Sequence, residues 1–137
     1  MKLLPLPPIS PEPIPPLSQD WVLGQDYIQL STTRPVRLVQ HVWSVPFRRH
    51  RHTFTELVVV QDGSIPHEIF DENGVCTRFE VETGDCLVIP PGLIHGYAEP
   101  EVGRPCHRVD ICYLAECFLW DLGLLWAEGL VPLFFAS

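Results

Sequence analysis

From Pro35 to Leu114 the chain is written in short apolar runs with polar positions set among them: VRLVQHVW at 36–43, TELVVVQ at 55–61, HEIFD at 67–71, TRFEV at 77–81, DCLVIP at 85–90, HGYAE at 95–99 and HRVDICYL at 107–114. Runs of this length, rich in β-branched and aromatic residues and bounded by Gly, Pro, Asn or Asp, predict strands. Asn73-Gly74 predicts a tight hairpin turn between HEIFD and TRFEV, because both residues tolerate positive φ. Gly63, Gly84, Pro91-Gly92 and Gly103 mark further corners. Short strands with a turn about every ten residues predict an all-β fold, a sandwich or small barrel.

The pattern changes at the C-terminal end. Leu114, Phe118, Leu119, Leu122, Leu125 and Trp126 recur at helical spacing with Glu116, Asp121 and Glu128 among them, which predicts an amphipathic helix over about 115–127. Its apolar stripe is expected to pack on the sheet. Trp120 and Leu124 make that stripe wider than one face needs and leave room for a subunit contact. After Gly129 the apolar LVPLFFAS looks like a strand in need of a neighbour, and it reads as a chain cut short of a further part. At the other end, seven of the fifteen prolines fall within residues 5–16. Fixed φ and missing donors favour polyproline II there, so residues 1–20 are expected to be a proline-rich arm and residues 21–137 the domain proper.

Composition narrows the function classes. At 137 residues the chain has room for one domain with a core of its own. Nine Lys+Arg against seventeen Asp+Glu give a net charge of -8, which opposes a phosphate backbone and makes the chain by itself a poor nucleic-acid binder. The five cysteines are odd in number and show no CxxC spacing, which suits reduced thiols in a cytoplasmic protein better than a disulfide framework. No signal-peptide core is visible, and no stretch reaches the ~20 apolar residues of a membrane span. A GxxxxGK phosphate loop is also missing.

The candidate chemistry lies in HRHTFTE at 50–56. If one strand runs unbroken through it, His50, His52 and Glu56 share a face. His95, heading its own strand after a Pro-Pro-Gly corner, is the natural fourth member. Imidazole nitrogens and a carboxylate suit one divalent metal (Zn, Ni, Fe, Mn or Cu), with positions left for water or a ligand. The plainer reading is a set of histidines hydrogen-bonded to each other and to the glutamate at a cavity mouth. Phe54 shares the parity of His52 and Tyr97 that of His95, so both are pocket candidates. Trp43, His41 and Arg108 on flanking strands are weaker ones, and Arg48, Arg49 and Arg51 form a basic cluster beside the motif.

These residues also carry a resemblance. His50-x-His52-xxx-Glu56-xxxxxx-Gly63 is similar to the first motif of the cupin superfamily, and Gly84-xxxxx-Pro90-Pro91-Gly92-xx-His95 to the second. Two positions depart from it: Ser44 stands where the first motif opens with glycine, and Glu99 where the second ends in asparagine. HRHTFTELVVVQDGS together with GDCLVIPPGLIHGY resembles the N-terminal sensor domain of AraC-type transcription regulators, and the similarity extends over about 36–135. The resemblance implies a cupin-type jelly roll or small β-barrel, closed by the C-terminal helix. Its mouth would be lined by His50, His52, Glu56 and His95, which commonly hold one divalent metal. It further implies a small-molecule effector, for which a sugar is one candidate, and a homodimer. An N-terminal arm would lie near the pocket, and DNA would be bound only through a helix-turn-helix domain beyond Ser137. A stand-alone metal-dependent cupin enzyme, a dioxygenase or isomerase, is the alternative, and a cupin that binds a small molecule without chemistry is a third.

Overall fold

The computed structural model describes residues 21–43, 47–98 and 104–129. The proline-rich arm and the apolar stretch after Gly129 therefore lie outside the described residues, as do Ser44 and Glu99. Among the described residues nine strands precede one helix: β1 Trp21–Leu23, β2 Val36–Trp43, β3 Phe47–His52, β4 Thr55–Asp62, β5 Ser64–Phe70, β6 Cys76–Glu82, β7 Cys86–Ile89, β8 Ile94–Tyr97, β9 Cys106–Tyr113 and α1 Ala115–Ala127. They form two sheets, in the order β1-β3-β8-β5-β6 and β2-β9-β4-β7. All pairings are antiparallel except β1 with β3. This is a jelly-roll arrangement, in which two sheets share one interior and consecutive strands often change sheet.

One such change overturns a sequence expectation. The segment from His50 to Glu56 is not one strand: β3 ends at His52, residues 53 and 54 bend, and β4 begins at Thr55 in the other sheet. The Thr53 N–H donates to the Leu23 carbonyl at 3.1 Å and the Gly92 N–H to the His52 carbonyl at 2.9 Å, so both sides of the bend are tied down. His50 and His52 thus come from the five-stranded sheet and Glu56 from the four-stranded one.

Alternation within the strands decides what enters the interior. On β9 the buried residues are Cys106, Arg108, Asp110 and Cys112, and on β4 the inward set runs Glu56, Val58, Val60. One apolar cluster gathers Trp21, Leu23, Ile28, Leu30, Phe54, Cys112 and Leu114. A second gathers Val60, Ile65, Val81, Tyr97 and Cys106, and Phe47 packs against both. Arg108 and Asp110 sit on β9 between a member of each, and Glu56 on β4 between Phe54 and Val60, so a polar belt crosses the barrel between two apolar caps.

The turns follow their chemistry. In the β5–β6 hairpin the Asp71 carboxylate accepts from the backbone N–H groups of Asn73 at 2.9 Å and Val75 at 2.8 Å, while Gly74 takes φ 79°. Gly63 stands at φ +89°, and a Cβ there would lie 3.1 Å from the Pro105 carbonyl oxygen. Gly63→Ala is expected to cost roughly 2 kcal/mol in urea unfolding, combining left-handed strain with a main-chain clash; an unchanged midpoint would contradict the close approach.

The helix has its expected bounds and its apolar stripe faces the sheet, but the stripe is not sealed there, because α1 buries no residue. It is anchored at its N-terminal end, where Leu114 is buried, the Phe118 ring meets Tyr113 edge-on at 5.6 Å and the Tyr113 hydroxyl donates to the Asp121 carboxylate. Leu119, Trp120 and Trp126 point outward, 66 to 75% exposed. The physical reason is that the barrel interior is already closed by side chains from both sheets, so the helix rests on an outer sheet face and has no core to complete.

Candidate functional site

The polar belt brings the motif residues together. His52, Glu56 and His95 offer ligand atoms that all lie within 4.8 Å of one another, and all three residues are buried. His50 lies outside this three-membered cluster; its ring is 4.2 Å from that of His95 and 6.1 Å from that of His52, centre to centre. A cavity of about 90 Å³ opens beside the cluster, with His50, His52, Phe54, Glu56 and Tyr97 on its wall. Fully buried His95 stands behind that wall. Of the weaker candidates, His41 and Arg108 line the cavity, whereas the Trp43 side chain lies outside the described residues. Phe54 reaches the cavity by packing flat on the His52 ring at 4.2 Å, a consequence of the bend rather than of strand parity.

The histidines share one hydrogen-bond arrangement. Nδ1 of His50 meets the Arg48 carbonyl at 2.8 Å, Nδ1 of His52 the Phe54 carbonyl at 2.6 Å, and Nδ1 of His95 the Leu93 carbonyl at 3.0 Å. A carbonyl only accepts, so each Nδ1 carries the proton and each Nε2 is left with a lone pair, the tautomer a metal ligand needs. His52 Nε2 then faces a Glu56 carboxylate oxygen at 3.0 Å, and His95 Nε2 lies 3.7 Å from the same oxygen. Burial alone would raise the Glu56 carboxyl, but the neighbouring His52 and His95 rings more than offset this and hold it well below the ordinary carboxylate range. An anionic oxygen facing imidazole lone pairs in a buried site demands a cation. A proton on the His52 ring meets that demand in part, and a divalent metal meets it for all three groups. His95 Nε2, buried without a hydrogen-bond partner, fits the second arrangement.

The cavity's other polar wall comes from β9 and β2. The Asp110 carboxylate accepts from Arg108 at 3.0 Å and contacts His41 Nε2 at 3.1 Å, and the Arg108 guanidinium lies over the Tyr97 ring at 4.1 Å. Apolar lining comes from Leu23, Ile28, Val39 and Cys112, the last two on the same strands as His41 and Asp110. Sequence reasoning missed Asp110 and His67. His67 is fully buried on β5, its ring 5.5 Å from that of His95 and 5.0 Å from that of Tyr97. The signal available for Asp110 was its spacing two residues from Arg108 on one strand. For His67 there was none without knowing that β5 lies beside β8.

Comparison with known proteins agrees with this geometry. Residues 35–108 match the family described as the AraC-like ligand binding domain. The chain belongs to that family. Two structures of oxalate decarboxylase from Bacillus subtilis, one a single-residue variant and one determined at pH 4.6, resemble this AraC-like domain with 23% identity and a TM-score of 0.50. Each match covers 60% of this chain and 22% of the decarboxylase chain, so the domain spans about a fifth of those proteins and the likeness is one of fold. No curated protein sequence matches the chain. No helix among the described residues is long and apolar enough to cross a membrane.

Proposed function

We propose that this chain is the effector-sensing and dimerising domain of an AraC-type transcription regulator, with residues 1–20 as an arm and residues 21–137 as the sensor. The full regulator would act in the cytoplasm and contact DNA through a helix-turn-helix region outside this sequence. The observation that carries the sensing role is the cavity lined by both apolar and hydrogen-bonding side chains, within the barrel whose residues 35–108 match the family. A small effector entering there stabilises one arrangement of the barrel and the elements around it.

In the same reading His52, Glu56 and His95 hold one divalent metal, with His50 beside it. The ion would polarise an oxygen of whatever binds in the cavity. His50, His52 and His95 keep their ligand tautomers through backbone carbonyls, and Tyr97, a phenol that burial keeps well above its usual range, offers a neutral hydroxyl to the cavity. The cation-demanding cluster also favours a second reading, a metal-dependent cupin enzyme; the fold neighbours named above are decarboxylases.

The test is elemental analysis of untagged parent protein beside His52→Ala, followed by incubation with pooled sugars and aromatic acids and recovery of bound species. One equivalent of metal in the parent, its loss in the variant and recovery of an unchanged ligand support the metal-bearing sensor. Turnover of a pool member would move the assignment to the enzyme, and metal-free parent protein would leave a sensor that reads its effector by hydrogen bonds alone.

A further inference from the structure

The barrel interior is not the largest concave feature. Between α1 and the outer face of the four-stranded sheet runs a groove of about 670 Å³, against about 90 Å³ for the cavity inside. The groove falls inside the range of roughly 300 to 1,000 Å³ typical of sites for drug-sized molecules.

Its walls follow from strand register. Val88 on β7 pairs with Leu57 on β4, and Leu57 with Ile111 on β9, so three apolar side chains form one row across the outer face. The row continues to exposed Leu38 on β2, the partner of Ile111. From above, α1 contributes Phe118, Leu122 and Leu125, spaced four and three residues apart on one helical stripe. Leu124 and Val88 remain 53% and 38% exposed, so the two surfaces stand apart.

The charges are of one sign. The charged residues lining the groove are Asp121 and Glu128; α1 has no basic residue in its last turn and carries Glu116 in its first. The outward positions of the sheet, Leu38, Gln40 and Val42 on β2, Leu57, Val59 and Gln61 on β4, Cys86 and Val88 on β7, and His107, Val109, Ile111 and Tyr113 on β9, include no Lys or Arg, and His107 does not line the groove. An apolar slot with carboxylates at its rim complements an apolar body that carries positive charge. It repels another copy of itself, because pairing two groove faces would set Asp121 and Glu128 of both helices against each other. The dimer contact proposed above has the exposed Leu119, Trp120 and Trp126 of α1 available to it.

We propose that the groove between α1 and the outer sheet face is a second binding site, separate from the barrel interior, for a compact lipophilic ammonium compound whose apolar body lies on the Val88–Leu57–Ile111 row and whose charge meets Asp121 and Glu128. A ligand there changes how α1 seats on the sheet, and α1 also carries the exposed aromatic residues.

The probes are 1-naphthylmethylammonium, its neutral analogue 1-naphthylmethanol and the anion 1-naphthoate, titrated into the whole chain by calorimetry. The ammonium compound should bind, the alcohol about tenfold more weakly and the anion more weakly still, with the preference shrinking at high salt. Val88→Asn and Leu122→Asn, both at non-buried positions, should each weaken ammonium binding by about tenfold or more while circular dichroism and metal content stay as in the parent. Asp121→Asn with Glu128→Gln should bring the ammonium compound and the alcohol to equal affinity. No ammonium binding, equal binding of all three probes, or binding that survives Val88→Asn and Leu122→Asn would overturn the proposal. So would a parent dimer that those two variants convert to monomer, since a second copy would then cover the groove. His52→Ala separates the two sites: it should leave naphthylmethylammonium binding unchanged whatever it does to the barrel.

Discussion

Gly96→Val is expected to cost about 4 kcal/mol of folding stability and to dismantle the site with it. A Cβ at Gly96 would lie 3.1 Å from the Phe47 carbonyl oxygen and 3.3 Å from the Arg49 nitrogen, both main-chain atoms of β3 that have no rotamer to retreat into. β8 is hydrogen-bonded between β3 and β5, so forcing β3 away separates the paired residues His50 and His95. Urea unfolding of parent, Gly96→Ala and Gly96→Val should give a graded loss of midpoint, and metal content should fall in step. Parental stability in the valine variant would mean that β3 and β8 do not approach as closely as described.

The second large effect comes with acid. Burial first, and then the neighbouring charge of His95, lower His50 from 6.5 to about 3 and His67 from 6.5 to about 4. Both groups are neutral in the folded protein and protonate far more readily in the unfolded chain. Their contribution to stability is therefore complete above pH 6.5 and is lost as pH falls from 6.5 toward the folded values. At pH 5 this amounts to about 2 kcal/mol for each residue. Glu56 acts in a different window: held low in the fold, it contributes above its unfolded value of 4.5 and loses that contribution only below it. Between pH 6.5 and 5 the histidines therefore dominate. Urea midpoints at pH 7.5 and pH 5 should differ accordingly, and His67→Phe, which sets a ring against Phe79 and Tyr97, should remove about half of the difference. A parent protein equally stable at both values would show that neither imidazole is buried neutral.

The strands and the helix were legible because their signals are local. VRLVQHVW becomes β2 residue for residue, and helical spacing from Leu114 onward places α1 at Ala115–Ala127. What escaped was decided between elements. Nothing inside HRHTFTE announces that the chain changes sheet at Thr53 and Phe54, since each half is strand-like; the bend is held by Leu23 and Gly92, distant in sequence. The motif residues still met, because a jelly roll folds its two sheets over one interior, so a face shared along one strand can be replaced by a face shared across the barrel. His67 went unnoticed for a related reason, since only the pairing of β5 with β8 puts it beside Tyr97. The helix stripe faces the sheet as its periodicity implies, but periodicity does not say how closely it packs or whether the facing surface is a core or an outer face.

The change of sheet between His52 and Glu56 has a thermodynamic side. A ligand held by His52 and His95 from one sheet and Glu56 from the other can be bound only while the two sheets are docked, and so acts as a rivet through the sandwich. Whatever occupies that point adds RT ln(1 + [L]/Kd) to the free energy of pulling the sheets apart. Occupancy of the barrel would then be readable from its melting temperature, and the slowest-exchanging amides of the loaded protein should lie on β3, β4 and β8, with those of α1 among the fastest.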